Sequence, residues 1–251
     1  YFYDRAVNKE FKDIDIFLNN FQQSLYQLQH AKFPVVSCPS GLAIGGGYEV
    51  ISQTSFIAAH SNSVLGLVES LVGLIPAGGG CKEMLRRWAN HSDIKNDPKQ
   101  LALKVFNLIG YATTADSPIK AKAQQFLGEQ DIMVMSKDRL IEEADKIIFS
   151  NKENYSSLDS ATFSLPGSTV MSDMMDILYE LKDKKVIGEH GIEVGKKLGY
   201  MLSGGNTTPS TILTEQNLYD LEREIFIDLI SQKPTQQRIR HTLDTGKPLF
   251  N

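Results

Sequence analysis

A run of three glycines, Gly45-Gly46-Gly47, constrains this chain more than any other feature. It stands between the apolar segment Pro34 to Cys38 and a helical pattern from Tyr48 to Gln53. A strand that turns through glycines into a helix leaves backbone N–H groups free at the helix start, where the helix dipole also favours negative charge. Glycine, lacking a Cβ, lets another group approach that backbone closely. The chain must therefore place tight turns between a strand and a helix, an α/β habit, and those turns are suited to an anion. Tight packing of helix on strand is the plainer use of the same glycines.

The anion is not a nucleotide phosphate. A P-loop needs Gly-Lys-Ser/Thr at its end, but Gly47 is followed by Tyr48 and Glu49, and Gly80 by Cys81 and Lys82. A dinucleotide GxGxxG pattern fails because Val50 occupies the last glycine position. Glu49 would also repel a polyphosphate. An oxyanion developing on a carbonyl fits better, with a carboxylate nearby for proton transfer. Glu69 supplies a second carboxylate. It lies within Val64 to Pro76, an apolar stretch in which desolvation raises a carboxyl pKa.

Apolar residues recur at Phe11, Ile14, Phe17, Leu18, Phe21, Leu25 and Leu28, predicting a long amphipathic helix over 8–30 that Pro34 ends. Strands are expected at Pro34 to Cys38 and at Phe56 to Ala59, and Gly78-Gly79-Gly80 opens a helix bearing Lys82, Glu83, Arg86 and Arg87. Beyond residue 95 the pattern is mainly helical: Pro98 to Ile109, Pro118 to Leu127, Asp138 to Phe149, Ser172 to Lys182, Gly188 to Leu202, Leu213 to Ser231 and Pro234 to Leu243. Asp116, Ser117 and Ser136 are expected caps, and Asn151 to Thr169 a linker. This divides the chain into an α/β core over 1–94 and a helical lobe over 95–251. Residues 172–202 could line an apolar tunnel or a subunit interface.

With 41% hydrophobic and 22% charged residues, the chain can bury a substantial core. A net charge of −4 argues against a general nucleic-acid binder. Cys38 and Cys81, isolated from one another, fit a reducing cytoplasmic compartment. No run reaches the length of a membrane span. The five histidines have no ligand spacing, so no metal site is expected.

Gly41 to Glu49, Gly66-Leu67-Val68-Glu69, and Gly73-Leu74-Ile75-Pro76-Ala77-Gly78-Gly79-Gly80 together resemble the signature series of the enoyl-CoA hydratase/isomerase (crotonase) family in order and spacing. The run Leu218 to Glu224 and the later Thr245-Gly246-Lys247-Pro248 are similar to a narrower group, bacterial β-oxidation proteins with a 3-hydroxyacyl-CoA dehydrogenase part first and a crotonase part last. The resemblance implies an α/β fold with a crotonase-type ββα spiral core, lacking its N-terminal turns, followed by a helical lobe. It implies Glu49 and Glu69 as the catalytic pair and Gly46 as an oxyanion donor, with Gly45 and Ala77 at the substrate. Acyl-CoA is then the substrate, its phosphates met by basic side chains among Lys82, Arg86, Arg87 and Lys247. No cofactor is expected in this chain, NAD belonging to the absent dehydrogenase part. Expected partners are a second copy of the chain or the missing N-terminal part.

Two departures stand out. Ala77 replaces the family's usual glycine, and nothing before Asn8 resembles the upstream strand motif that supplies the family's second oxyanion donor. The chain is therefore expected to be cut from a longer enzyme. A non-catalytic crotonase-fold remnant, serving as scaffold or subunit contact, is the alternative. Isomerisation or thioester hydrolysis are further crotonase chemistries.

Overall fold

A computed structural model describes residues 1–94 and 96–251. The first helix, α1 (Phe2–Val7), stops at Lys9, whose positive φ breaks the chain before α2 (Phe11–Gln29). The α2 face toward the core is not wholly apolar: Ile14, Leu18 and Leu25 are buried, and so are Gln22 and Gln29. Phe17, expected on that face, is largely exposed.

Two rungs of a spiral follow. The first runs β1 (Val36–Ser37), β2 (Leu42–Ile44) and α3 (Gly46–Ser52). The second runs β3 (Phe56–His60), β4 (Val64–Gly66), a 3-10 turn (Glu69–Val72) and α4 (Gly80–Ala89). Each rung sends one strand to each of two sheets. β1 pairs in parallel with β3 and β2 in parallel with β4, with Ile44 opposite Gly66. Stacking rungs in this way sets both turns, at Gly45 and after Gly66, one above the other. β2 lies inside the stretch expected to be loop; its three residues form a strand because β4 supplies their hydrogen-bond partners.

The remaining elements are α5 (Pro98–Gly110), β5 (Thr114–Ala115), α6 (Pro118–Ala123), β6 (Ile132–Val134), α7 (Leu140–Asn151), β7 (Thr162–Ser164), α8 (Met171–Asp183), α9 (Glu189–Leu202), β8 (Ile212–Thr214), α10 (Glu215–Ser231) and α11 (Lys233–Thr245). Ser117 caps α6 as expected, and Asp97, not foreseen, caps α5. Ser136 makes no side-chain cap bond. The expected linker holds β7, which pairs antiparallel with β8 and buries Phe163, so its second half is packed structure.

The division expected at residue 94 is crossed by both sheets. β6 adds to β3 in parallel and β5 to β4 in antiparallel, and α10 packs on α2 and α4. One continuous core joins Trp88, Met84 and Leu85 of α4 to Val105 and Phe106 of α5 and to Leu198 and Leu229 of α9 and α10. Among the described residues no helix is long and apolar enough to cross a membrane.

Candidate active site

The first turn of α3 places Glu49. Tyr48, wholly buried, anchors the helix from behind through its hydroxyl, which donates to the Phe126 carbonyl at 3.1 Å. Glu49 then faces the opposite way, toward the turn that opens α4. Its Oε1 accepts the N–H groups of Gly78 (2.7 Å) and Gly80 (2.8 Å). Oε2 lies 3.9 Å from where a Cβ on Gly46 would stand and 2.8 Å from that position on Gly78. Any side chain at residue 78 would cover this oxygen, and the ring of Phe21 closes the same space. Oε1 is thus committed to the turn, while Oε2 is the oxygen that faces the glycine-lined space.

Glu69 arrives from the second rung, at the start of the 3-10 turn that Gly73 ends in a left-handed conformation. Its Oε1 is 3.0 Å from the Cβ position of Gly45, whose φ of 56° also demands glycine. The two carboxylates therefore flank the adjoining residues Gly45 and Gly46, one from each rung. Glu69 as a whole is half-buried, but its Oε2 is shut away from solvent with no hydrogen-bond partner among the described residues. Such an atom is costly unless chemistry uses it.

The electrostatics follow from this packing. Burial pushes the Glu49 carboxyl up to about 7, against the pull of the Gly80 and Gly78 N–H groups. Burial first, and the charge of Glu49 second, push Glu69 up to about 8. No cationic group is paired with either carboxylate among the described residues. Near neutral pH the pair can hold one proton between them, so that a base and an acid stand side by side.

The glycines divide their work. Gly45 donates its N–H to the Gly66 carbonyl at 2.8 Å, so it shapes the turn and does not offer a donor. Gly46 is the first residue of α3, where N–H groups have no partner within the helix. Ala77 is buried, its carbonyl accepting from Gln22 Nε2 at 2.8 Å, and leads directly into the Gly78–Gly80 turn. All five of these sequence-selected residues thus border one region. The basic residues proposed for phosphate do not fare alike. Lys82 is wholly buried, with Nζ donating to Gln29 at 2.6 Å and to Gln53 and Glu215, which removes it as a phosphate contact. Arg86 and Arg87 both bind Glu83, and Lys247 is exposed past α11.

Sequence reasoning missed Gln22, Gln53 and Glu222, which fix this turn from α2, α3 and α10. The one available signal was the spacing Ile14–Leu18–Gln22–Leu25–Gln29, which sets two glutamines on an apolar stripe. α8 and α9, with Ser70 and Leu71, line an apolar cavity of about 70 Å³ beside the 3-10 turn. Among the described residues no group of three or more His, Cys, Asp or Glu side chains is placed to hold a metal ion.

Residues 4–96 match the sequence profile of the family described as enoyl-CoA hydratase/isomerase. A probable 3-hydroxyacyl-CoA dehydrogenase of Bacillus subtilis (strain 168) is 33% identical over 242 residues, covering 96% of this chain and 30% of the relative. A putative fatty acid oxidation complex trifunctional enzyme of Rickettsia felis is 28% identical over 234 residues, covering 92% of this chain and 29% of that protein. The chain thus spans less than a third of the length of these two relatives. The solved enoyl-CoA hydratase of Bacillus halodurans superposes with a TM-score of 0.56 over 95% of this chain and 72% of its own, at 13% identity. That likeness shows the crotonase-type α/β fold expected from the sequence.

Proposed function

We propose, from the premise that residues 4–96 carry the enoyl-CoA hydratase/isomerase sequence on a crotonase-type fold, that this chain is the hydratase segment of a fatty-acid β-oxidation enzyme. It adds water across the C2–C3 double bond of a trans-2-enoyl-CoA to give 3-hydroxyacyl-CoA. The observation that carries this reading is the pair of desolvated carboxylates, Glu49 and Glu69, flanking Gly45 and Gly46 with no cationic partner among the described residues.

The chemistry balances on these groups alone. A water held between Glu49 Oε2 and Glu69 gives a proton to the ionised carboxylate as its oxygen bonds to C3. The π electrons move toward C2 and the thioester oxygen, and the protonated carboxyl supplies a proton to C2. The N–H of Gly46 stabilises the transient enolate oxygen. Either glutamate can take either part. Hydration consumes no redox cofactor. NAD would serve a dehydrogenase part of a longer protein, which would oxidise the 3-hydroxyacyl-CoA formed here. The free thiols of Cys38 and Cys81 suit a reducing, cytoplasmic setting. A second copy of the chain, or the dehydrogenase part, is the partner this reading assigns.

The test is hydration of crotonyl-CoA, followed by loss of enoyl-thioester absorbance and by the mass of the product. Glu49→Gln, which keeps the shape but cannot exchange a proton, should lower kcat by about a thousandfold. Folded wild-type protein that turns over no enoyl-CoA, alone or within its full-length protein, would favour a scaffold role instead.

A further inference from the structure

The run Leu218 to Glu224 was set apart by its sequence, and hydration chemistry makes no use of it. On α10 it turns three polar side chains inward. Tyr219 donates its hydroxyl to Gln53 Oε1 at 2.6 Å, and its carbonyl accepts from Gln22 at 2.9 Å. Arg223 reaches Asp15, Asn19 and Gln22 on α2. Glu222 is wholly buried. Its Oε2 accepts the N–H of Gly79 at 2.7 Å and its Oε1 that of Lys82 at 2.8 Å.

Gly78 and Gly80 give their N–H groups to Glu49, and Gly79 and Lys82 give theirs to Glu222. One turn is therefore gripped by two carboxylates, with N–H groups of successive residues alternating between them. Gly79 sits at φ 102°, a conformation that sends its N–H away from those of its neighbours. Were Gly79 free to rotate, the adjoining peptides would rotate with it, and Gly78 and Gly80 would no longer aim at Glu49 Oε1. The carbonyls of Ala77 and Gly78 are tied down by Gln22 and Gln53. Among these ties Glu222 is the one that sets the direction of the N–H groups.

We infer that Glu222 is a positioning residue for hydration: by holding the Gly79 and Lys82 N–H groups it keeps Glu49 Oε1 occupied by Gly78 and Gly80, and so keeps Oε2 aimed at the substrate space. This rests on Glu49 being the proton-transfer group. Glu222 touches no substrate, and its effect falls on the chemical step more than on binding.

Glu222→Gln is the sharpest probe. A side-chain amide retains one acceptor oxygen, and its NH2 must confront either the Gly79 or the Lys82 N–H. Hydrogen exchange of the segment Ala77–Glu83, read by mass spectrometry, should accelerate about tenfold or more while α5 keeps its protection. In the hydration assay kcat should fall about tenfold or more with KM changed less than about threefold. Leu140→Ala, a truncation in the small core of α7, should lower stability without loosening the turn or producing that split. If Glu222→Gln fails to fold, Glu222→Asp, one methylene too short to span both N–H groups, is expected to show the same loosening. Unchanged exchange at 77–83 in a folded variant overturns the inference, as does a loosened turn with unchanged kcat. Absence of hydration in the wild type defeats the catalytic reading separately, because the exchange measurement still reports whether Glu222 holds the turn.

Discussion

Two groups of buried carboxylates lie along α4 and behave oppositely. At its start, Glu49 and Glu69 flank the Gly45–Gly46 backbone with no cationic partner among the described residues, and both are pushed up toward neutral pH. One turn further on, Glu83 is as deeply buried. Burial would raise it too, but Arg86 and Arg87, with Lys82 at 3.8 Å, hold it well below the ordinary carboxylate range. Its Oε1 and Oε2 are satisfied by Arg86, Arg87 and Gln29. Glu69 by contrast has no partner for Oε2 among the described residues. Burial alone therefore does not mark a reactive carboxylate. What separates the regions is whether the fold supplies cations and donors to finish the pairing. The Glu83 cluster is completed and holds α2, α4 and α10 together. The Glu49–Glu69 pair is left incomplete where glycines let both carboxylates come close to the backbone.

The same substitution should therefore have unlike effects in the two places. Glu83→Gln leaves Arg86 and Arg87 around a neutral amide, while Lys82 keeps Glu215, and should cost about 3 to 5 kcal/mol of stability, measured by urea unfolding. Glu69→Gln removes a carboxylate that gains little from folding and should leave stability within about 1 kcal/mol of wild type or raise it. A large loss for Glu69→Gln would place it in the structural class and blur the distinction.

A further effect separates the regions by pH. Glu49 and Glu69 have folded-state pKa values, about 7 and about 8, above their ordinary 4.5. Between these limits the folded state binds more protons than the unfolded one, so their contribution is fully present below about 4.5 and is lost as pH rises through 7 to 8. Glu83, with its pKa lowered, has the opposite sign: its contribution is present above 4.5 and lost as pH falls through its depressed value. Unfolding free energy should thus decline from about pH 5 to about pH 8, and decline less in Glu69→Gln. An equal slope in the two proteins would remove Glu69 from the set of groups with raised pKa.

How much of this was legible in the sequence depended on how local each cause is. Glu49 and the Gly45–Gly47 run lie within five residues, and Glu69 announces itself as a charge inside an apolar run; Gly78 and Gly80, which hold the Glu49 carboxylate, come from the next rung. Gln22 showed only as a polar residue on an apolar stripe and Glu222 only as a member of the run Leu218 to Glu224, because their partners lie across the fold: Gln22 binds Ala77 and Tyr219, and Glu222 binds Gly79 and Lys82. β2 was hidden for a related reason. Three residues beside glycines have no strand pattern of their own, and only pairing with β4 makes them one. Lys82 stood among the basic candidates for phosphate, until α2, the end of α3 and α10 closed over it with Gln29, Gln53 and Glu215. β5 and β6 were missed because strands this short are specified by the sheets they join, which are built before residue 94.

The central claim is that Glu49 and Glu69 form an unpaired couple able to hold and pass one proton near neutral pH. Its most direct test is a carboxyl titration by carbon-13 NMR on glutamate-labelled protein, with the two signals assigned from Glu49→Gln and Glu69→Gln. The expected outcome is two coupled transitions near 7 and 8, with the surviving glutamate moving when the other is substituted. Both groups titrating near their ordinary 4.5, each indifferent to the other, would contradict it.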